Sequence, residues 1–547
     1  MTETEQETAR FSLGPFSWVV VGLSIYAYYL FRLSIAPGWV YAGDAASDLV
    51  LYNFQYSGLA RGEYPLWNPL NRSGEPIYFF QALTLANPLS NLVILISLLL
   101  GIKNIVLSLS IYFFLLTTLY VTGVYLLVLA LTKNRFAATF GALISLASPP
   151  VLWIPTSDVL IRLIYSIPWI LYSLIQYHRT IKFRYLAIFV LSFCLAIYSY
   201  QLTYAFSFLI VVFFSWLTFY WKTISIQRFT KIPNWHIGVV TFLALLISAP
   251  IIQIALITIS GDFLPSASRL NHSTIAVTEG LNIKFDFLFD RLPEFFFGRE
   301  NLLAVIFTGA FWAKTASELN SVWTVLRYFL GPIILPFLGI AVFYRSRITL
   351  CIMLAILLIA TQAGGYFPGN LIYKLPFFYQ IKYAYHLNTY LVFSLIILSS
   401  LGFDHFLKNK NHLSERILIW LPCFLILGCI SLFIFLPSRN YSNSALALTS
   451  FTMVAFISLI LFRQKIAQEV LAKFFFAMII SSSIFFQYLI KSHHPHLNGA
   501  MTKNMDILKL KNKENHSFHF LMERPDEIRT WDRKGKSGAS GDIDEYY

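Results

Sequence analysis

Apolar residues arrive in this chain as long unbroken blocks, and that pattern decides what the chain can fold into. The stretches 105–131, 184–221, 236–260 and 414–436 are each apolar for long enough to cross a membrane. A hydrocarbon core of about 30 Å needs about 20 helical residues. Within lipid every backbone N–H and C=O has to be satisfied inside the segment or in a closed barrel. A barrel would alternate apolar and polar residues with period two, which these blocks do not, so they read as helices. Hydrophobic residues make up 57% of the 547 and charged residues only 12%, which excludes the string of soluble domains that length alone would allow. The expected fold is all-α, a polytopic transmembrane helical bundle.

Charge fixes how the chain threads. The formal charge of +14 gathers in short loops at Lys133/Arg135, Arg179–Arg184, Lys222–Lys231, Arg345/Arg347, Lys408–Arg416 and Arg463–Lys473. Such clustering follows the positive-inside rule and excludes a nucleic-acid partner. All six loops fall in the cytoplasm only if the N-terminus is inside and the run 87–100 does not span. That run is about fourteen residues between Asn-Pro and Gly101, short enough to lie in the outer interface. The threading gives about thirteen spans: 13–33, 105–131, 137–153, 159–177, 184–199, 201–221, 236–258, 327–344, 348–363, 387–407, 414–436, 443–462 and 472–490.

The organisation expected is a cytoplasmic N-terminus (1–12), a membrane domain (13–490) and a short polar extracytoplasmic tail (491–547). The first long outer loop, 34–104, carries interfacial helices; 259–326 is the second, and 364–386 also lies outside. Met1 to Arg10 lacks the basic n-region of a cleavable signal, so the first span stays as an anchor. Cys194, Cys351, Cys423 and Cys429 all sit in apolar runs and read as buried free thiols, not as a disulfide framework or metal cluster.

The first outer loop holds the densest chemistry. Asp44 and Asp48 stand four apart just after the first span, so a helix starting there puts both carboxylates on one face. Such a pair at a bilayer surface can serve as a base or bind a divalent cation; equally, Asp44 can cap the helix with Asp48 solvated. Tyr64 and Trp67 offer faces for a sugar ring, or for the interface belt. Arg162 sits near the outer end of the span 159–177, where a lone Arg needs a partner: a phosphate, or Asp158 one turn earlier. Arg269, Arg291, Arg299 and Lys382 in outer loops could reach the same phosphate or contact lipid headgroups. Gln201 at a span end could bond a sugar or a neighbouring helix. His493, His494 and His496 lack supporting ligands at metal spacing. No Walker loop or GxGxxG follows a strand, so no cytosolic nucleotide-sugar site is expected.

Gly43-Asp44 after the first span, followed by GEYPLWNPLNRSGEP, a Gln and Asn-Pro-Leu, resembles the YfhO-type bacterial membrane proteins. That family is placed in the GT-C superfamily of glycosyltransferases that use polyprenyl-phosphate-linked sugars. The likeness continues through YSYQLTYAFSFL (198–209), LISAPIIQIALITIS (246–260) with Arg269, and IKYAYHLNTYLVFSLIILSSLGFD (381–404). It spans about 13–410. Lys382 stands where the family has Arg and Ala384 where it has Pro, and the large outer domain that often follows is reduced to the tail.

The resemblance implies a GT-C-like bundle in the bacterial cytoplasmic membrane with its active site facing the periplasm or exterior. The partners implied are a polyprenyl-phosphate-linked sugar and a glycan, lipid or polymer acceptor. Asp44 then matches the first-loop acidic base, with Asp48 supporting it or sharing a divalent cation. Arg162, Arg269 and Lys382 would hold the donor phosphate, and Tyr64, Trp67, Asn68 and Gln201 the sugar or acceptor. Two other classes compete: a lipid-linked oligosaccharide polymerase or ligase, and a non-enzymatic flippase or transporter. A transporter should place ionisable residues at midplane on broken helices, whereas most acidic residues here lie at outer ends and in loops.

Overall fold

The computed structural model describes residues 14–35, 44–63, 67–68, 75–76, 87–155, 158–197, 202–220, scattered positions between 233 and 245, 334–344, 346–363, 368–374, 384–408 and 468–492. Nearly all of them are helical. The helices are α1 (Phe16–Ile35), α2 (Asp44–Ala60), α3 (Pro88–Leu99), α4 (Ile105–Thr132), α5 (Arg135–Leu146), α6 (Pro149–Leu152), α7 (Val159–Ile164), α8 (Ile167–Thr180), α9 (Phe183–Ile197), α10 (Leu202–Tyr220), α11 (Leu335–Tyr344), α12 (Arg347–Ala363), α13 (Asn388–Lys408) and α14 (Gln468–Ser492). One antiparallel pair interrupts the helical pattern: β1 (Trp67–Asn68) faces β2 (Glu75–Pro76), with Trp67 opposite Pro76.

Among the described residues four helices are long and apolar enough to cross a membrane: Ile105–Thr132, Val159–Thr180, Thr203–Tyr220 and Asn388–Lys408. A further pair, Pro336–Tyr344 and Arg347–Ala363, qualifies together but turns through 119°. Large apolar side chains point outward from the bundle, among them Val20 and Tyr28 on α1, Leu191 on α9, Phe213 and Phe214 on α10 and Leu357 on α12. So much exposed hydrocarbon is stable only against lipid. The chain is an integral membrane protein. The expected spans 236–258, 414–436 and 443–462 fall wholly or mostly outside the described residues, as do Cys423 and Cys429; Cys194 and Cys351 are free.

Local chemistry sets the helix ends. Asn87, Asn104 and Asn134 each accept a backbone N–H through their side chains, at 2.9 Å from Leu89, 3.1 Å from Leu107 and 2.9 Å from Phe136. These caps satisfy donors that have no partner within a first turn. Pro88 follows Asn87 in the first turn of α3, where its missing N–H is harmless. Lys133 ends α4 in the left-handed region at φ 58°. The expected span 137–153 breaks after Leu146, where Ser148-Pro149-Pro150 starts the short α6.

The core lies around α4 and α13. Of the membrane-length stretch of α13, 94% is buried within the protein, so it is a central helix enclosed by others. Small residues permit the close crossings. A Cβ on Gly402 would meet the Phe337 carbonyl, one on Gly141 the Ser400 hydroxyl at 2.6 Å, and one on Gly123 the Trp169 ring at 2.8 Å. Gly and Ser at crossings are how membrane helices gain packing energy, since lipid supplies no hydrophobic drive between them. Phe140 stacks on Phe403 at 4.3 Å, and Phe337 meets both edge-on at 5.1 Å.

Candidate functional site

Three elements converge on Arg162. The residue lies on α7 with its side chain only 7% exposed, and a guanidinium so placed needs counter-charge. It has two. Asp158, one turn earlier and fully buried, pairs with the Arg162 Nη2. Asp48 reaches the same nitrogen from α2, its Oδ2 at 3.1 Å, with its side chain 20% exposed. Two carboxylates therefore face one guanidinium. The guanidinium carbon lies 6.0 Å from the Tyr112 ring centre and 5.9 Å from that of Phe113, both on α4. These rings wall one side of the cluster and favour a cation beside them.

Hydroxyl and amide contacts fasten the first-loop helices to α4. Tyr52 of α2 stacks on Tyr112 at 6.3 Å, and its hydroxyl lies 2.9 Å from the Ser108 Oγ. Ser108 continues to Ser97 of α3 at 2.8 Å. Burial pushes the Tyr52 phenol above its ordinary range, so it stays neutral and keeps its hydrogen bond. Asn87, next to α3, donates from Nδ2 to the Tyr112 hydroxyl at 3.4 Å, and Gln55 donates to Asn91. The Tyr56 hydroxyl donates to the Ile102 carbonyl at 2.5 Å. Each bond satisfies a polar group that would be costly in an apolar setting.

Asp44 is the first residue of α2, one turn before Asp48, so both carboxylates arise on one helical face. Its side chain lies outside the described residues. The helix N-terminus there favours negative charge. Asp48 and Arg162, read separately from the sequence, are brought into contact. Asp158, weighed only as a structural partner for Arg162, is part of the same cluster. The Asp48–Arg162 pairing was not foreseen, although a lone Arg in an apolar run advertises the need for an acid. Trp67 and Asn68 are placed only as the β1 backbone. Tyr64, Gln201, Arg269 and Lys382 lie outside the described residues. Among the described residues no three His, Cys, Asp or Glu side chains group closely enough to hold a metal ion.

No protein-family model matches the chain, and no curated protein matches it. Among solved structures it is similar to ArnT from Cupriavidus metallidurans bound to undecaprenyl phosphate, with a TM-score of 0.42 and 13% identity over 89% of this chain and 78% of that one. The apo state of the same ArnT gives a TM-score of 0.42 and 13% identity over 86% and 76%. A likeness this distant leaves the chemistry to be argued from the residues of this chain.

Proposed function

We propose that this protein is a GT-C-like glycosyltransferase of the YfhO type. It transfers a sugar from a polyprenyl-phosphate-linked donor to a cell-envelope glycan, lipid or polymer on the outer face of the bacterial cytoplasmic membrane. The observation that carries the reading is the 3.1 Å contact between Asp48 and Arg162, which docks the acidic first-loop helix against a cation at the end of a span. Acceptor chemistry and phosphate chemistry then sit within a few residues of each other.

In this reading Asp44 takes the proton from the acceptor hydroxyl as its oxygen bonds to the anomeric carbon. The bond from that carbon to the phosphate oxygen breaks, and the lipid phosphate leaves with the electron pair. Arg162 stabilises the departing phosphate, assisted by Arg269 and Lys382, because charge developing in a water-poor site needs fixed cations. Tyr64, Trp67, Asn68 and Gln201 contact the sugar or acceptor. A divalent cation between Asp44 and Asp48 would have to share Asp48 with the charge of Arg162.

The test is Asp44→Asn, which keeps size and most hydrogen bonding while removing the base. Transfer from a polyprenyl-phosphate-linked sugar should fall about 10²–10⁴-fold, the usual loss for a positioned base, with membrane insertion unchanged. Asp48→Asn should reduce transfer less. Full activity in both variants would reduce the carboxylates to helix caps and overturn the reading.

A further inference from the structure

We propose that Asp48 occupies, in the resting protein, the place on Arg162 that a phosphate group takes, and that binding exchanges one anion for the other. The inference rests on the donor-phosphate role given to Arg162 above and adds how that site is filled and emptied.

The two carboxylates on Arg162 are unequal. Asp158 is fully buried and held one turn from Arg162 on the same helix segment, so it has little room to withdraw. Asp48 comes from a separate helix and keeps 20% of its side chain exposed, so it can swing out. Both carboxylates contact the same Nη2. A guanidinium presents a planar fork of donors that fits carboxylate and phosphate alike, which makes Asp48 a chemical stand-in for a phosphate oxygen.

Charge drives the exchange. Asp158 and Asp48 already face this guanidinium, and a phosphate arriving beside Asp48 would add a third anionic group within a few ångströms. Like charges at that spacing in a poorly solvated site repel strongly, so phosphate and Asp48 compete for Arg162. Tyr112 and Phe113 flank the guanidinium and limit its retreat, which leaves Asp48 as the group that moves. Asp158 is then a positioning residue that holds Arg162 throughout. Because Asp44 starts the same helix as Asp48, release of Asp48 would also free the α2 N-terminus, coupling donor arrival to placement of the base.

The experiment uses full-length protein in lipid nanodiscs, titrated with undecaprenyl phosphate and read by native mass spectrometry, with inorganic phosphate as a second arm. A competitor that occupies the site weakens apparent affinity by the fraction of time it is bound. Asp48→Asn should therefore bind the polyprenyl phosphate about tenfold more tightly than the wild type. Asp48→Asn leaves Arg162 and Asp158 as a balanced pair, so the fold should persist; Asp48→Ser must give the same sign. The double variant Arg162→Gln with Asp158→Asn removes the cation and its buried counter-charge together and should lose binding while melting normally. If wild type binds, the double variant does not, and Asp48→Asn and Asp48→Ser bind no tighter, the exchange is overturned and the donor-site reading stands. If the double variant binds as well as wild type, both fail. A gain for inorganic phosphate without one for the lipid keeps the exchange and overturns the lipid donor.

Discussion

Removing the guanidinium of Arg162 would take from Asp158, a fully buried carboxylate, the cation it shares with Asp48. Breaking a buried pair from one side typically costs about 3–5 kcal/mol, whereas removing both partners is often nearly neutral. Arg162→Ala should thus lower the melting temperature of the detergent-solubilised protein markedly, and Arg162→Ala with Asp158→Ala should recover most of the loss. An unchanged melting temperature for Arg162→Ala would show that the pair contributes little to folding. The sequence announced this residue and its near partner, because an ionisable side chain in an apolar run needs an acid and Asp158 lies one turn away. It did not announce Asp48, which reaches Arg162 only because α2 folds back against α4 and α7. A contact made through tertiary docking has no period in the sequence to betray it.

The elements divide the same way between what pattern fixes and what docking adds. The apolar blocks 105–131 and 387–407 became α4 and α13 nearly residue for residue, since length and hydropathy suffice to specify a span. The run after Asn87-Pro88 became a helix of 12 residues, about 18 Å at 1.5 Å per residue, too short for a core of about 30 Å. Its buried face carries Ser90 and Ser97 beside Val93 and Ile94, while Leu92, Leu95 and Leu99 point away. Within the span expected at 137–153 the helix is interrupted, because Pro149 and Pro150 start a new turn after Ser148. The buried Ser97 of α3 predicts a measurable dependence on Ser108, whose hydroxyl serves both Tyr52 and Ser97. Ser108→Val leaves two buried hydroxyls without that partner, a loss of about 1–3 kcal/mol for each. Amide exchange should rise across α2 and α3 and stay level in α13. Thr118→Val, which removes only a bond to the Phe114 carbonyl of its own helix, is the control and should change little.

Across the whole molecule the basic loops and the carboxylate cluster occupy opposite ends of α4. Arg179, at the end of α8, donates from Nη1 to the Ala130 carbonyl at 2.7 Å. Lys408, at the end of α13, donates to the Thr132 carbonyl at 3.1 Å and pairs with Asp404 at 2.7 Å, and Asn134 donates to the same carboxylate at 2.8 Å. His405 stacks on Tyr344 at 4.6 Å, which brings the Arg347 turn to that end as well. Four of the six basic loops therefore meet at the C-terminal end of α4. Tyr52 touches α4 at Ser108, 22 residues before Ala130, which is about 33 Å along a helix and about one hydrocarbon thickness. Positive charge is retained on the cytoplasmic side, so the Asp48–Arg162 cluster is predicted to face outward. Single cysteines in a cysteine-free background test it, at Glu63 just after the C-terminal end of α2 and at Lys133 in the α4–α5 turn, both exposed. An impermeant maleimide applied to intact cells with a permeabilised outer envelope should label Glu63→Cys and spare Lys133→Cys until the cells are lysed. Labelling of Lys133→Cys from outside, with Glu63→Cys protected, would invert the protein in the membrane. The carboxylates would then face the cytoplasm, where a lipid-linked donor presented on the outer leaflet could not reach them.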